Sequence, residues 1–379
     1  MKPETKDYIK PIVRYFIYLV LVLGLTVLAF FLTIGNKSQL ILDTIKTANG
    51  LYLAVIIAIV LACILLRSLV IFLLTRSYVK KYPFHRAIAI DQLGTLYRMT
   101  TPAGLGSHVS EVVVYRKQKV SIANALSVLA MYSIIYQAVL ILFNLVTIIV
   151  KSSTVIEIGY IPITFSTSGP VNIPLWLLVG LGFLINLSVI GFIVLLSYWN
   201  GFYRFVYGPI GRFLNKVKII KDLDKYHERM DSSIENFRNN LKQLFTHVPT
   251  LVGCVLTFAA YIILAYSVPY FAGLALGNNS TSASFFESVF LSNLHQMITC
   301  IVPIPGNAVS SELFFLKLFY PASGPSFYES ETIARSALLL WRSLMFILPL
   351  FISCLYTIIY RPRKRDIYVE NKEDKNSQE

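Results

Sequence analysis

The sequence has few charged residues. They make up 14% of its 379 residues, while 55% are hydrophobic, and a soluble domain carries about 25% charged residues. This deficit excludes an ordinary soluble globular protein. Cysteine is scarce too: there are four residues, all in apolar runs, and none has the Cys/His spacing of a metal or redox site. We therefore expect no metal centre and no cofactor.

Signature motifs of soluble enzymes are also missing. The sequence has no phosphate-binding P-loop, no HExxH zinc motif, no GxSxG nucleophile elbow and no dinucleotide fingerprint. Its net charge of +14 would favour nucleic-acid binding on a soluble protein. In a chain this apolar, however, an excess of Lys and Arg is typical of cytoplasmic loops between membrane spans. We expect no nucleic-acid partner.

Long apolar runs, in contrast, are abundant. A helix that crosses a bilayer needs about 20 apolar residues. We predict six such spans, at 12–34, 51–74, 122–150, 174–198, 250–276 and 333–359. The first run is too long and uniform for a cleaved signal peptide, so we expect a retained anchor. The predicted fold class is an all-α polytopic membrane protein.

Lys and Arg cluster in the loops that alternating spans place on one face of the membrane. They occur before residue 15, at 76–86 and 116–119, throughout 200–247 and after residue 360, whereas the opposite loops hold few. Because basic loops stay in the cytoplasm, we expect a multi-pass protein of the cell membrane with both termini cytoplasmic.

Two further apolar stretches, 87–100 and 285–302, are too short to cross a bilayer comfortably. Each leads into a turn rich in proline and glycine, with Pro102, Gly104 and Gly106 in the first and Pro303, Pro305 and Gly306 in the second. Basic residues flank the first stretch on both sides, and the second has weakly charged flanks. We interpret 87–111 and 285–320 as re-entrant hairpins that enter from opposite faces, with turns enclosed by protein or lining a water-filled cavity.

The two halves of the sequence then have the same order of spans and hairpins in opposite orientations. Their turns align without gaps, since Pro102 to Glu111 covers the same interval as Pro303 to Glu312. Inverted repeats with interrupted helices point to a transporter's central binding site. We predict a single membrane domain, residues 1–368, with repeat halves at about 12–150 and 174–359.

The polar stretch between the halves has a different character. Segment 209–247 has apolar residues at helical spacing, a capping box at Ser232 and Glu235, and many basic residues. It is typical of an amphipathic helix on the cytoplasmic membrane surface, although a plain connector helix fits the same pattern. We expect the polar tail 369–379 to be disordered.

Arg342 is the clearest candidate for function, because it lies within the last apolar run. A central Arg costs at least about 2.5–3.5 kcal/mol to insert, so it needs a partner. Two partners fit the planar guanidinium: the Glu312 carboxylate or the phosphate of an anionic lipid. A purely architectural ion pair and a contact with substrate both remain open. Arg67 and Arg335 lie near span ends, and we expect them to extend to the interface.

Glu111 and Glu312 each follow one of the turns. In a cavity of low dielectric they could bind a cationic head group or take up protons, and capping of a helix start is the alternative. His108 is open between a proton relay and ordinary hydrogen bonding. Glycines at 104, 106 and 306 would let backbone N–H groups approach a bound head group. The candidate substrate site therefore comprises Arg342, Glu312, Glu111, His108, Pro102, Gly104, Gly106, Pro305 and Gly306.

The turn sequences resemble a known family. Residues 101–106, Thr-Pro-Ala-Gly-Leu-Gly, resemble the first glycine-rich motif of the lysylphosphatidylglycerol synthase transmembrane region, the flippase-like domain of multiple peptide resistance factors. Residues 303–306 with Glu312 resemble its second motif, and Leu340-Trp341-Arg342 resembles its last helix. The chain departs from the family pattern at Glu111, Asn307 and Val309.

The resemblance implies translocation of a phospholipid or glycolipid, such as aminoacyl-phosphatidylglycerol, between leaflets. Its name also implies phosphatidylglycerol lysyltransferase activity, which we do not expect here, because the only sizeable cytoplasmic segments are 200–247 and the tail. Two other functions remain open: a proton-coupled exporter of a small polar solute, and a membrane scaffold for a separate lipid-modifying enzyme. Membrane lipids are the expected partners, and the sequence leaves a homo-oligomer open.

Overall fold

The computed structural model describes most of the predicted membrane domain. It describes residues 38–163, 171–199 and 247–360, apart from Pro102, Ala103, Leu105 and Pro303, together with isolated positions at 20–31 and 201–239. Apart from those isolated positions, the predicted first span, the connector at 209–247 and the tail at 369–379 lie outside the described residues.

The described part of the chain is mainly helical. In chain order its helices are α1 (Ser38–Lys46), α2 (Gly50–Arg76), α3 (Phe84–Thr100), α4 (Gly106–Lys117), α5 (Ile122–Val150), α6 (Ser152–Ile158), α7 (Leu175–Tyr198), α8 (Val248–Ala275), α9 (Phe285–Thr299), α10 (Ser310–Phe319), α11 (Glu331–Arg342) and α12 (Leu348–Ile359). A short 3₁₀ turn, Pro305–Asn307, separates α9 from α10.

Five helical segments are long and apolar enough to cross a membrane. They are Gly50–Arg76, Asn124–Val150, Leu175–Phe192, Val248–Ala275 and Glu331–Ile359. Each coincides with one of the six predicted spans. Most of the observed ends differ from the predicted ends by only a few residues. The described residues therefore confirm a helical membrane protein with at least five candidate spans.

The described residues fit the predicted all-α class, with one short β-sheet as an exception. A two-stranded antiparallel sheet joins α6 to α7, with β1 (Tyr160–Ile163) paired to β2 (Val171–Pro174). Both strands consist mainly of Ile, Val and Tyr, which favour extended backbone. The segment is too short to change the mean hydropathy over a window of membrane-span length. The search for apolar runs in the sequence therefore did not indicate it.

The last span is one helix with a wide turn inside it. Residues Ser343–Ile347 form a π-helical turn that connects α11 directly to α12. Such turns insert an extra residue into the α-helical ladder and occur often at functional sites. The π turn begins immediately after Arg342, so the candidate arginine sits at the point where the helix changes its winding.

Two pairs of shorter helices correspond to the predicted hairpins. Helices α3 and α4 contain 17 and 12 residues and pack against each other. Helices α9 and α10 contain 15 and 10 residues and also pack together. All four are shorter than the roughly 20 residues that a spanning helix needs.

Helices α2 and α8 pack against each other more extensively than any other pair of described elements. Both helices contribute side chains to two hydrophobic cores. One core surrounds the hairpin α3–α4 and contains Ile71, Ile90 and Phe258. The other surrounds the hairpin α9–α10 and contains Ile56, Leu294 and Phe315. Each hairpin therefore packs in its own core, and the same two long helices are part of both.

Candidate functional site

Arg342 and Glu312 form a buried ion pair. The Nε of Arg342 lies 2.7 Å from Oε1 of Glu312, and the two residues are 4% and 3% exposed. This carboxylate is one of the two partners for the arginine that we predicted from the sequence. Glu312 belongs to the first turn of α10 and Arg342 is the last residue of α11, so the pair joins the second hairpin to the last span.

The turn before α10 supplies a further acceptor for Arg342. Its Nη2 donates a hydrogen bond of 2.6 Å to the carbonyl oxygen of Gly306, and its guanidinium lies 4.0 Å from the ring centroid of Phe346. Gly306 has φ +63°, and a Cβ there would approach Phe346 Cζ to 2.6 Å. Glycine is therefore needed both for the backbone conformation and for the space under the aromatic ring.

The first hairpin contains a matching glutamate with its own arginine. Glu111, which is 2% exposed, accepts from Nη2 of Arg98 at 3.2 Å and lies 3.0 Å from Nδ1 of His108. Arg98 was missed in the sequence analysis. The sequence did contain a signal for it, since Arg98 is a basic residue just before the first glycine-rich turn. Arg342 has the same kind of signal, as a basic residue within the last span.

Gly94 makes room for the Glu111 carboxylate. A Cβ added at Gly94 would overlap Oε1 of Glu111, well inside van der Waals contact. We expect Gly94→Ala to displace Glu111 from Arg98 and to lower the stability of the protein by about 1–3 kcal/mol, the usual range for overpacking. Thermal unfolding in detergent, followed by tryptophan fluorescence, measures this.

The control for this prediction is Gly253→Ala in α8, where the nearest atom is the Leu73 methyl at 3.7 Å, an ordinary contact distance. Equal melting temperatures for the two variants would show that the Glu111 side chain can shift without loss of stability. Gly94 would then not be needed to position it.

A cavity of about 500 Å³ lies between the two turns. Residues of both hairpins and of the last span line it, among them Arg98, Gly104, His295, Gly306, Trp341 and Arg342. The structure thus brings the candidates Gly104, Gly306 and Arg342 to one cavity. We call it the central cavity.

The remaining described candidates are not among the residues that line this cavity. Glu111 pairs with Arg98 and with His108, the backbone N–H of Gly106 donates to Oγ1 of Thr101, and Pro305 opens the 3₁₀ turn. Pro102 lies outside the described residues.

Glu312 borders a second cavity, of about 460 Å³. Lys317, Glu331 and Arg335 are also among its lining residues. Because Arg342 lines the central cavity and Glu312 lines this one, their ion pair stands at the boundary between the two. Arg335 pairs with Glu331 one turn away on α11.

The expectation that Arg67 reaches the membrane interface was wrong. Arg67 is 8% exposed and forms a bidentate pair with Asp91, with distances of 2.9 and 3.1 Å. Asp91 also accepts from Gln92, whose side-chain oxygen accepts from Ser353. These bonds connect α2, α3 and α12. Hydropathy along the chain does not show which helices face one another, so the sequence analysis did not identify Asp91 as the partner.

A model of a known protein family matches this chain. The family model described as "Lysylphosphatidylglycerol synthase TM region" matches residues 16–353, which is most of the chain and includes both turns and Arg342. No curated protein matches the sequence.

Proposed function

Because this chain belongs to the lysylphosphatidylglycerol synthase transmembrane-region family, we propose that it translocates a phospholipid or glycolipid between the two leaflets of the cell membrane. The observation that carries the proposal is the central cavity, where Arg98 and Arg342 meet the turns of two short hairpins. An arginine inside an apolar protein is costly and is a functional candidate by default.

In this proposal the two hairpins are re-entrant. Their helices are too short to span, and their turns have irregular backbone, with positive φ at Gly104, Gly306, Asn307 and Val309. Irregular backbone at membrane depth is tolerated where it is buried in protein or lines a water-filled cavity. Residues of both turns line the central cavity, which gives such backbone access to water.

We also propose that the two halves are an inverted repeat with both termini cytoplasmic. Helices α2 and α8 would be equivalent spans, and they form the main packing contact. The aligned glutamates Glu111 and Glu312 each meet an arginine near the central cavity. Inverted repeats commonly place a binding site between corresponding interrupted helices.

The roles follow from this arrangement. Arg342 contacts the phosphate of the lipid head group. Its ion pair with the Glu312 carboxylate opens when the head group enters and forms again when the head group has passed. Movement of the head group past this pair links the central cavity to the cavity that Glu312 borders.

The test is a leaflet-specific lipid assay in reconstituted vesicles. The double variant Arg342→Ala/Glu312→Ala removes both charges, and we expect it to lower the translocation rate at least roughly tenfold, as an increase of about 1.4 kcal/mol in the barrier would. The control is Lys46→Ala, which removes an exposed ion pair with Asp43. Wild-type rates in the double variant would reject the site. Ion-dependent uptake of a soluble solute without lipid movement would favour an exporter instead.

A further inference from the structure

The charged side chains of the central cavity have one sign. Among the described residues that line it, Arg98 and Arg342 carry positive charge, and none is Asp, Glu or Lys. The two glutamates that pair with the arginines are not among the lining residues: Glu111 is buried against Arg98, and Glu312 borders the second cavity. A ligand in the central cavity therefore meets guanidinium groups and no carboxylate of the described chain.

Both guanidiniums keep N–H groups for another acceptor. Within the described residues, Arg98 contacts Glu111 through Nη2, and Arg342 uses Nε toward Glu312 and Nη2 toward Gly306. A guanidinium has five N–H donors, and its fork geometry matches a phosphate group. Hydroxyl and amide groups complete the polar lining, from Thr101, Ser292, Gln296, Thr299, Asn307 and Ser311.

Three of the four aromatic residues that line the cavity already contact another group. Faces of Phe, Tyr and Trp attract cations, but Arg342 lies over Phe346 and Arg67 lies over Tyr261. Trp341 is stacked on Phe315 at a centroid distance of 5.1 Å. An ammonium in this cavity would stand beside two guanidiniums, and like charges brought together in a site are a strong means of rejecting a ligand.

We propose that the central cavity selects a phosphate-bearing head group with net negative charge and rejects one that carries an added ammonium group. This rests on the proposed function, and it makes unmodified phosphatidylglycerol a better substrate than its lysyl ester. The preference is opposite to the one that the family's description suggests.

The experiment compares lipids in proteoliposomes of the full chain. Each preparation contains one acyl-labelled lipid: phosphatidylglycerol, lysyl-phosphatidylglycerol or phosphatidylcholine. We expect phosphatidylglycerol to move at least roughly tenfold faster than its lysyl ester, a ratio that corresponds to about 1.4 kcal/mol. Equal or faster movement of the lysyl ester overturns the selectivity and leaves the translocase intact. If no lipid moves, the proposed function itself fails.

A second set of measurements, with soluble substrates, distinguishes a lipid phosphate from a free phosphate. The same vesicles are tested for uptake of inorganic phosphate and glycerol 3-phosphate. Uptake of these anions without lipid movement supports an anion-selective cavity and overturns the lipid translocase. Uptake of cationic lysine in preference to the anions contradicts the charge selectivity.

The matched variant is Arg98→Gln/Glu111→Gln, which removes one arginine of the cavity together with the carboxylate behind it, so that no charge is left buried without its partner. We expect the preference for phosphatidylglycerol to fall severalfold while Lys46→Ala keeps it. If the double variant folds with wild-type thermal stability and keeps the full preference, Arg98 does not select the head group.

Discussion

Replacing Gly182 with alanine is expected to disrupt the packing of α7 against α9. A Cβ at Gly182 would overlap the carbonyl oxygen and carbon of Met297. The obstacle is backbone of α9, so no side chain can rotate away to relieve the overlap. Overpacking costs about 1–3 kcal/mol and occasionally more. We expect a loss at the upper end of this range or beyond it, seen as a lower thermal midpoint in detergent or as failure to fold.

The chain offers a matched control for this variant. Gly180 lies two residues earlier on the same helix, and a Cβ there would meet nothing within 4 Å. Gly180→Ala adds the same methyl group and has the same effect on helix propensity, so the difference between the two variants measures the close approach of α7 and α9. Equal midpoints for Gly180→Ala and Gly182→Ala would contradict this account of the interface.

Arg342→Ala is expected to lower stability by about 3–5 kcal/mol, because breaking a buried ion pair leaves its partner as an uncompensated charge. Here the partner is Glu312, which is 3% exposed and has no other ion-pair contact among the described residues. The variant also loses the bond to the Gly306 carbonyl. Denaturant unfolding in mixed micelles measures the change.

A double variant separates stability from function. Arg342→Met with Glu312→Leu replaces both charges by apolar side chains, and such replacements are often neutral or stabilising. We expect it to be more stable than Arg342→Ala and still inactive in lipid translocation. If Arg342→Ala unfolds at the wild-type denaturant concentration, the ion pair contributes little to stability and this account of it is wrong.

The sequence predicted those parts of the site that depend on one residue in an apolar run. Arg342 requires a partner because of its surroundings along the chain, and Glu312, with which it pairs, is one of the two partners that the sequence left open. The positions of five spans followed from hydropathy for the same reason: length and composition suffice to predict them.

The parts that were missed depend on side-chain contacts and on local helix winding, neither of which hydropathy shows. Arg98 lies near the end of a short helix, beside Thr100 and Thr101, a position in which basic residues often reach the membrane interface. Its pairing with Glu111 depends on the space that Gly94 leaves for the carboxylate. The Arg67–Asp91 pair needs α2 and α3 to face each other across 24 residues of sequence. The π turn after Arg342 is not visible in hydropathy either, because its residues are as apolar as the helices on both sides.

Helices α2 and α8 belong to both hydrophobic cores, and each core surrounds one hairpin. Two side chains of α8, Tyr261 and Tyr266, pack against both cores. If the protein translocates lipid as we propose, this shared pair of helices would couple the movement of one hairpin to that of the other. Such coupling would favour opening of the two cavities in turn, which would let a head group pass without an open path for ions.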